Sequence, residues 1–477
     1  MASLARFNGK LKKQLEAASG FEQLVSEQEI NKVCRAVGHR WRNCFWRPTV
    51  IILTFLRQVL HGCSCRQAVS WTVVGSAAGD AGIGAAGEGW VSEQPSAYSQ
   101  ARQKLPASVL RELNGRVVKR LDQQTEGQRW CGRSVQVVDG SAASMPDTPE
   151  LQKAYPQSSQ QRKGCGFPIA RLVALFDWGS GAMRELLVSS TKVGEQTLSR
   201  QFHGLLKAKD VLLGDRLFCT YYDMASLLAR GVDTVFRMNA ARSTDLRRGK
   251  RLGKNDHEIV WRRPKARPKQ VTAKQWEAIP ETLTVRHVRF EVTTQGFRSR
   301  QIDLVTTLLD PKAYPLKALA ELYRDRWLAE LNLRSFKCTL HMDVLRCQSV
   351  RMVQKELMVG QLAYNLIRLL MVEAATHHQR DLHAMSFAGA GQRVFATLVF
   401  WERATPRQRR RLAKRMLEMI AEDELPNRPN RIEPRCVKRR PKSYPCLFEP
   451  RAAARQRAIR TNSKSPNKYA AACRKGR

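Results

Sequence analysis

A chain that contains PLKALAELYRDRWLAELNLRSFK, Pro315 to Lys337, has to bury one flank of a helix. Within this stretch Tyr323, Arg326, Glu330 and Lys337 follow the spacing Y, two residues, R, three residues, E, six residues, K. At about 100° per residue the four fall inside a sector of roughly 60° on the helix surface. Trp327 and Leu331 flank that sector on one side and Leu322 and Leu333 on the other. Glu321, Arg324, Asp325, Asn332 and Ser335 lie opposite. A merely solvated charge stripe belongs on the opposite side, so this carboxylate, phenol and pair of cations are expected to face the protein body. The plainer alternative is a local ion pair, since Arg326 and Glu330 are four apart. That pair explains neither Tyr323 nor Lys337.

The 477 residues suffice for two to four domains. Against 42 Asp and Glu stand 82 Lys and Arg, a formal net charge of +40. Such an excess speaks about partners rather than fold, and the natural partner is a polyanion: nucleic acid first, an anionic membrane surface second. The greasiest stretch, Leu357 to Val372, is interrupted by Gln361, Asn365 and Arg368 at helical spacing, which predicts an amphipathic core helix rather than a membrane span. The basic first fourteen residues are not followed by an apolar signal segment, so a soluble intracellular protein is expected. Among the twelve cysteines Cys63 and Cys65 form the one close pair, without a second pair or a suitably placed His. Neither zinc site nor disulfide framework is expected, and the thiols should be reduced and mostly buried.

In chain order, Phe21 to Val37, Thr49 to Leu60 and Val109 to Leu121 show helical periodicity, and Gly75 to Gly89 reads as a loop. Arg40, Trp41, Arg42, Phe45, Trp46 and Arg47 interleave charge with aromatics and could meet phosphates and sugars; equally, they could be a helix start packed by tryptophans. PSAYSQARQKLP, Pro95 to Pro106, leads into a further helix. Strands are expected at Val135 to Val138, Ile169 to Phe176, Met183 to Ser189, Val211 to Leu213 and Thr234 to Met238, with helices at Glu195 to Leu206 and Tyr221 to Ala229. This order suggests an α/β fold with a mixed sheet flanked by helices. From Ala240 to Ser299 the chain is rich in Arg, Lys and Pro, with alternating pieces at His257 to Trp261 and Thr282 to Val292, and reads as a β-rich insertion. The sheet resumes at Ile302 to Leu309, and Met352 to Ala375 is the amphipathic helix. From Trp401 onward 23 Lys and Arg face 7 Asp and Glu, with a helix at Pro406 to Ala421 and then a basic tail.

Asp139 and Asp215 each end an apolar strand, where loops leave room for a substrate. Brought together with Glu330 they would repel, and one would protonate. Divalent cations remove that conflict: hard oxygen ligands suit Mg²⁺ or Mn²⁺, and two ions roughly 4 Å apart serve in-line phosphoryl transfer. A single Asp at a strand end is commonly a turn former. Asp147, Asp177 and Asp210 read so, and spacing by itself leaves convergence open.

The spacing of Tyr323, Arg326, Glu330 and Lys337 resembles that of the bacterial insertion-sequence transposases of the DDE type with the YREK signature. Asp139 in VVDGS and Asp215 in LLGDRLF match the family's other two acidic motifs in order. The long gap before Glu330 is similar to the β insertion that interrupts the family's ribonuclease H-like core. PSAYSQARQKLP, MDVLRC (Met342 to Cys347), LAYNLIRLLM (Leu362 to Met371) and NRPNRIEPRCVKRRPKSYP (Asn427 to Pro445) also look similar, so the resemblance covers nearly the whole chain. It divides the chain into a helical N-terminal DNA-binding region (1–120), a first part of the catalytic core (121–239), the β-rich insertion (240–300), a second core part carrying the Glu helix (301–375) and a basic C-terminal region (376–477).

The resemblance implies cut-and-paste transposition: metal-assisted cleavage at the terminal inverted repeats, then attack of the freed 3′-hydroxyl on target DNA. Asp139, Asp215 and Glu330 would hold two Mg²⁺ ions, with Mn²⁺ as substitute. Tyr323, Arg326 and Lys337 would contact phosphates near the scissile bond. The partners implied are double-stranded DNA, at transposon ends and target, and a second copy in a synaptic homodimer; no membrane is expected. The setting would be the bacterial cytoplasm, at the nucleoid when DNA is bound. Members often pass through a DNA hairpin, and a related enzyme stacks a flipped base on a tryptophan of the insertion, for which Trp261 and Trp276 are the candidates. Two alternatives remain: a catalytically inactive DNA-binding derivative, and a ribonuclease H-like structure-specific nuclease.

Overall fold

The structure is a computed structural model and describes residues 26–42, 44–77, 93–239, 242, 249–291, 301–401, 404–426 and 446–460. Among the described residues five helices come first: α1 (Glu27–Ala36), α2 (Pro48–Leu60), α3 (Cys65–Ala77), α4 (Pro95–Lys104) and α5 (Ala107–Gln124). PSAYSQARQK is thus itself a helix rather than a lead-in, started by Pro95 at its first turn, where a missing N–H is harmless. Of the interleaved cluster, Trp41 and Trp46 pack against the core, with Trp46 5.2 Å from the Tyr98 ring, and Arg47 pairs with Glu27 at 2.9 Å. The aromatics face inward, leaving Arg40 and Arg42 exposed. Most of Gly75 to Gly89 lies outside the described residues, as does NRPNRIEPRCVKRRPKSYP.

The strands that follow are β1 (Val135–Ser144), β2 (Ile169–Asp177), β3 (Met183–Ser190), β4 (Val211–Gly214) and β5 (Asp233–Arg237), with α6 (Pro149–Ala154) before β2, α7 (Glu195–Ser199) before β4 and α8 (Tyr221–Leu228) before β5. β1, β2 and β3 are antiparallel neighbours, and β4 and β5 run parallel to β1, giving the order β3-β2-β1-β4-β5. This is the ribonuclease H-like arrangement. The strands read as continuous apolar runs because both faces are buried, and successive side chains go to opposite sides. Val137, Leu213, Val235 and Leu304 join the larger core, while Val138, Leu212, Phe236 and Val305 join the second one. At the β2–β3 turn Asp177 accepts from the Ser180 amide and hydroxyl, a turn former as read from its position.

The insertion strands are β6 (Lys250–Gly253), β7 (Asp256–Arg262) and β8 (Thr282–Glu291), with α9 (Ala273–Glu277) between the last two, and then comes β9 (Gln301–Thr306). They do not stand apart from the core. β9 pairs with β5 on one side and β8 on the other, so the described strands form a single nine-stranded sheet. The open edge of β5 is thereby covered. Arg286, fully buried, clamps the extension by donating to Asp256 at 2.6 and 2.8 Å and to the Tyr314 carbonyl at 2.6 Å.

The stretch Pro315 to Lys337 is not one uniform helix. It comprises α10 (Leu316–Asp325), α11 (Trp327–Arg334) and a wider π turn, Ser335–Thr339. The break falls at Arg326, where amide bonds tighten to the third residue back, Arg326 to Tyr323 and Ala329 to Arg326. Beyond it run α12 (Val350–His378), α13 (Phe387–Trp401), α14 (Pro406–Glu422) and α15 (Arg451–Arg460).

α12 departs from the amphipathic expectation: every residue from Val359 to Ala375 is buried. Its length and composition would suit a membrane span, but 94% of its most apolar window is buried inside the protein. The polar residues that suggested a wet face are paired internally. Asn365 accepts from the Met183 amide at 2.8 Å and donates to the Met183 carbonyl and Asn114; Arg368 donates to Asn332 at 2.6 Å. A Cβ on Gly181, whose φ is +68°, would overlap the Arg368 guanidinium. Glu356 accepts from the amides of Arg346 and Cys347, which fastens MDVLRC to α12. The thiols are less buried than expected, since Cys44, Cys131, Cys338 and Cys446 are exposed.

Candidate active site

β1 and β4 pair in parallel with Val135 opposite Val211 and Val137 opposite Leu213. Continuing that register by two residues sets Asp139 beside Asp215, the first residue past β4, since neighbouring strands lie about 4.8 Å apart. Alternation assigns Asp139 to the face of Val135 and Val137, and Asp215 to that of Val211 and Leu213; these belong to one core, shared with Ala329 and Leu333 of α11. Contrary to the expectation that it ends its strand, Asp139 lies midway along β1, which runs on to Ser144 beside β2; the end of β4 is what leaves room next to it. Asp139 and Asp215 therefore emerge beneath the helix that carries Glu330.

Electrostatics reflects the same convergence. Burial pushes the Asp139 carboxyl up to about 6; its own Gly140 amide and Arg326 oppose this, while Glu330 and Asp215 add to it. Tyr323 is 7% exposed, and burial raises its phenol, opposed by Arg326 and Arg237 and assisted by Asp215. Arg326 Nη2 lies 2.5 Å from Glu330 Oε1, with the guanidinium 5.8 Å from the Tyr323 ring centre. Burial acts against the Arg326 charge, but Tyr323, Glu330 and Asp139 outweigh it and hold the guanidinium above its ordinary range. Lys337 sits in the π turn and donates from Nζ to Ser141 Oγ at 3.1 Å, two residues past Asp139. All six candidate residues are thus gathered around the middle of β1 and the end of β4.

The flanks of the stripe differ from expectation. Trp327 is 50% exposed, whereas Asn332, assigned to the outer side, is buried and bonded to Arg368. Both residues follow the break at Arg326, where the helical phase changes. Trp261 is buried under the Arg242 guanidinium, 3.9 Å from its ring centre, and Trp276 packs on Tyr222. A fourth carboxylate, Glu195 at the start of α7, went unnoticed in the sequence. Burial raises its carboxyl, Arg171 opposes this, and Asp215 adds to it. Only the folded sheet brings α7 to this rim, so sequence spacing carried no signal for it.

Asp139, Asp215 and Glu330 offer only hard oxygen donors, which suit a divalent cation. The Asp139 carboxyl is raised chiefly by burial, with Glu330 and Asp215 adding to it, and a cation bound there would favour its ionised form. Among the described residues no three His, Cys, Asp or Glu stand at metal-ligating distances. Glu330 is meanwhile engaged by Arg326.

A ribonuclease H-like sheet with paired aspartates at its rim, in a chain of net charge +40, defines a nucleic-acid phosphoryl-transfer enzyme. Residues 130–366 match the family model described as Transposase DDE domain. The chain is 27% identical over 358 residues to the transposase InsG for insertion sequence element IS4 of Escherichia coli (strain K12), covering 74% of this chain and 78% of that protein. A solved structure of the piggyBac transposase synaptic complex with hairpin DNA aligns with a TM-score of 0.41 and 10% identity, over 85% of this chain and 84% of that one. The chain belongs to the DDE transposases of bacterial insertion sequences. It is a DNA-binding enzyme that cleaves DNA and transfers strands with the help of divalent metal ions.

Proposed function

We propose that Asp139, Asp215 and Glu330 are the carboxylates that hold the metal, as two Mg²⁺ ions replaceable by Mn²⁺, during cutting at the element's terminal inverted repeats and joining to target DNA. The single observation that carries this reading is the β1–β4 register, which sets Asp139 beside Asp215 under the helix of Glu330. Bound ions supply Lewis acidity at the scissile phosphate and favour the ionised form of the attacking oxygen. The protein's own side chains do the positioning. Arg326 exchanges Glu330 for a DNA phosphate, to which its planar fork can donate twice. Lys337 exchanges Ser141 for a second phosphate as a point charge, and Tyr323 supports Arg326 from beneath. Trp327, exposed beside them, borders the DNA path. The working form is a homodimer that synapses two ends, in the bacterial cytoplasm at the nucleoid.

The test is cleavage of DNA carrying the element's terminal repeats, with products resolved on a denaturing gel. Asp139→Asn should abolish nicking in Mg²⁺ while leaving end binding intact. Unchanged nicking by that variant overturns the assignment.

A further inference from the structure

The residue after Asp139 is Gly140, and alternation along β1 turns its open side to the opposite face of the sheet, that of Val138. A Cβ placed there would overlap the carboxylate of Glu195. Glu195 is the first residue of α7, whose cap residue Gly194 offers no side chain to the helix end. Two contacts from Arg171 of β2 aim it. The guanidinium Nη1 donates to the Val193 carbonyl at 2.6 Å, fixing the turn into α7, and Nε stands 3.6 Å from Glu195 Oε1. A glutamate serving only to start a five-residue helix could point into water, where the favourable end charge is just as available. This one instead occupies the space left by a missing side chain, between β1 and the Asp215 turn, at the one rim where Asp139 and Asp215 meet.

We infer that Glu195 is a positioning residue of the active centre, a fourth carboxylate that acts through the water shell of the metal held by Asp139 and Asp215. The inference rests on the proposed metal-holding role of those two aspartates. Glu195 approaches from the face of the sheet opposite Glu330, so the two glutamates bracket the aspartate pair. Gly140 is the device that admits it. Because the overlapping atoms are the free end of a flexible side chain, Gly140→Ala should expel the carboxylate rather than break the strand.

The experiment is Mn²⁺ binding to the full chain, read by electron paramagnetic resonance of free Mn²⁺, with and without end DNA. Thermal melts of each variant check its folding. Glu195→Gln is expected to weaken Mn²⁺ binding about tenfold and to raise the Mn²⁺ needed for half-maximal nicking by a similar factor. Glu195→Asp should recover part of the loss, and Gly140→Ala should move both readouts as Glu195→Gln does. A role confined to anchoring α7 would shift the melt and leave Mn²⁺ affinity in place. If Asp139→Asn loses Mn²⁺ while Glu195→Gln and Gly140→Ala bind it within twofold of the parent, the role of Glu195 is overturned and the aspartate site stands. If Asp139→Asn also retains Mn²⁺, the aspartate site itself is overturned.

Discussion

Arg326 Nη2 stands 2.5 Å from Glu330 Oε1, so without DNA the helix carboxylate is held by a cation of its own chain. The contact that looked like the plain alternative in the sequence is real, and it is compatible with a role in the active centre. An arginine four residues before a glutamate can neutralise it at rest and leave it when a phosphate competes for the guanidinium.

Arg326→Gln should separate these two roles. Removing a positive charge beside Asp139 and Glu330 makes the cluster more attractive to a cation, and Mn²⁺ affinity in the absence of DNA should rise roughly fivefold, about 1 kcal/mol. Nicking should fall by at least about a hundredfold, because the phosphate contact is lost with the same change. Calorimetric titration and gel assay read the two effects; a fall in Mn²⁺ affinity would contradict the exchange.

Asp139 gives the protein a pH signature. Its folded-state pKa of about 6 lies above the ordinary carboxylate value of 3.8, so between these two pH values the folded chain binds more protons than the unfolded one. Stability contributed by this group therefore declines as pH rises through that window, and the penalty is complete above pH ~7. Asp139→Asn should make the metal-free protein more stable at pH 7.5, by about 2 kcal/mol or a Tm increase of roughly 2–5 °C, with no advantage near pH 4. Melting curves at the two pH values test the sign.

The Asn365 side chain satisfies both polar groups of the Met183 backbone and the Asn114 amide from a fully buried position. Asn365→Ala leaves the Met183 N–H without that acceptor and opens a small void. It should cost about 2–4 kcal/mol, read as a lower denaturation midpoint at unchanged slope.

The basic C-terminal region predicts a steep salt dependence of DNA binding. Each phosphate contact adds about 0.9 to the slope of log affinity against log salt. Ending the chain after Ala421 removes sixteen Lys and Arg, 23 less the seven from Arg403 to Arg415, and should flatten the slope by several units. A slope that stays put would exclude the tail as a phosphate contact.

The sequence by itself determined the local pieces. Apolar runs marked the strands, and Asp215 was visible just past the end of its own; Asp139 ended an apolar run but not its strand, which continues to Ser144 because β2 goes on pairing with it. The stripe of Tyr323, Arg326, Glu330 and Lys337 was legible because a helix converts spacing into direction. Tertiary structure decided everything that depends on pieces far apart in the chain. The register of β1 against β4, which makes neighbours of Asp139 and Asp215, is set by pairing across more than seventy residues. The joining of β6, β7 and β8 to the sheet through β9, the full burial of α12 and the carboxylate of Glu195 lying over Gly140 are of the same kind. Periodicity reports which side of a helix or strand is apolar. It does not report how many sides will be covered, nor that Asn365 and Arg368 would find polar partners inside, since burial and hydrogen bonding are settled by whatever else packs there.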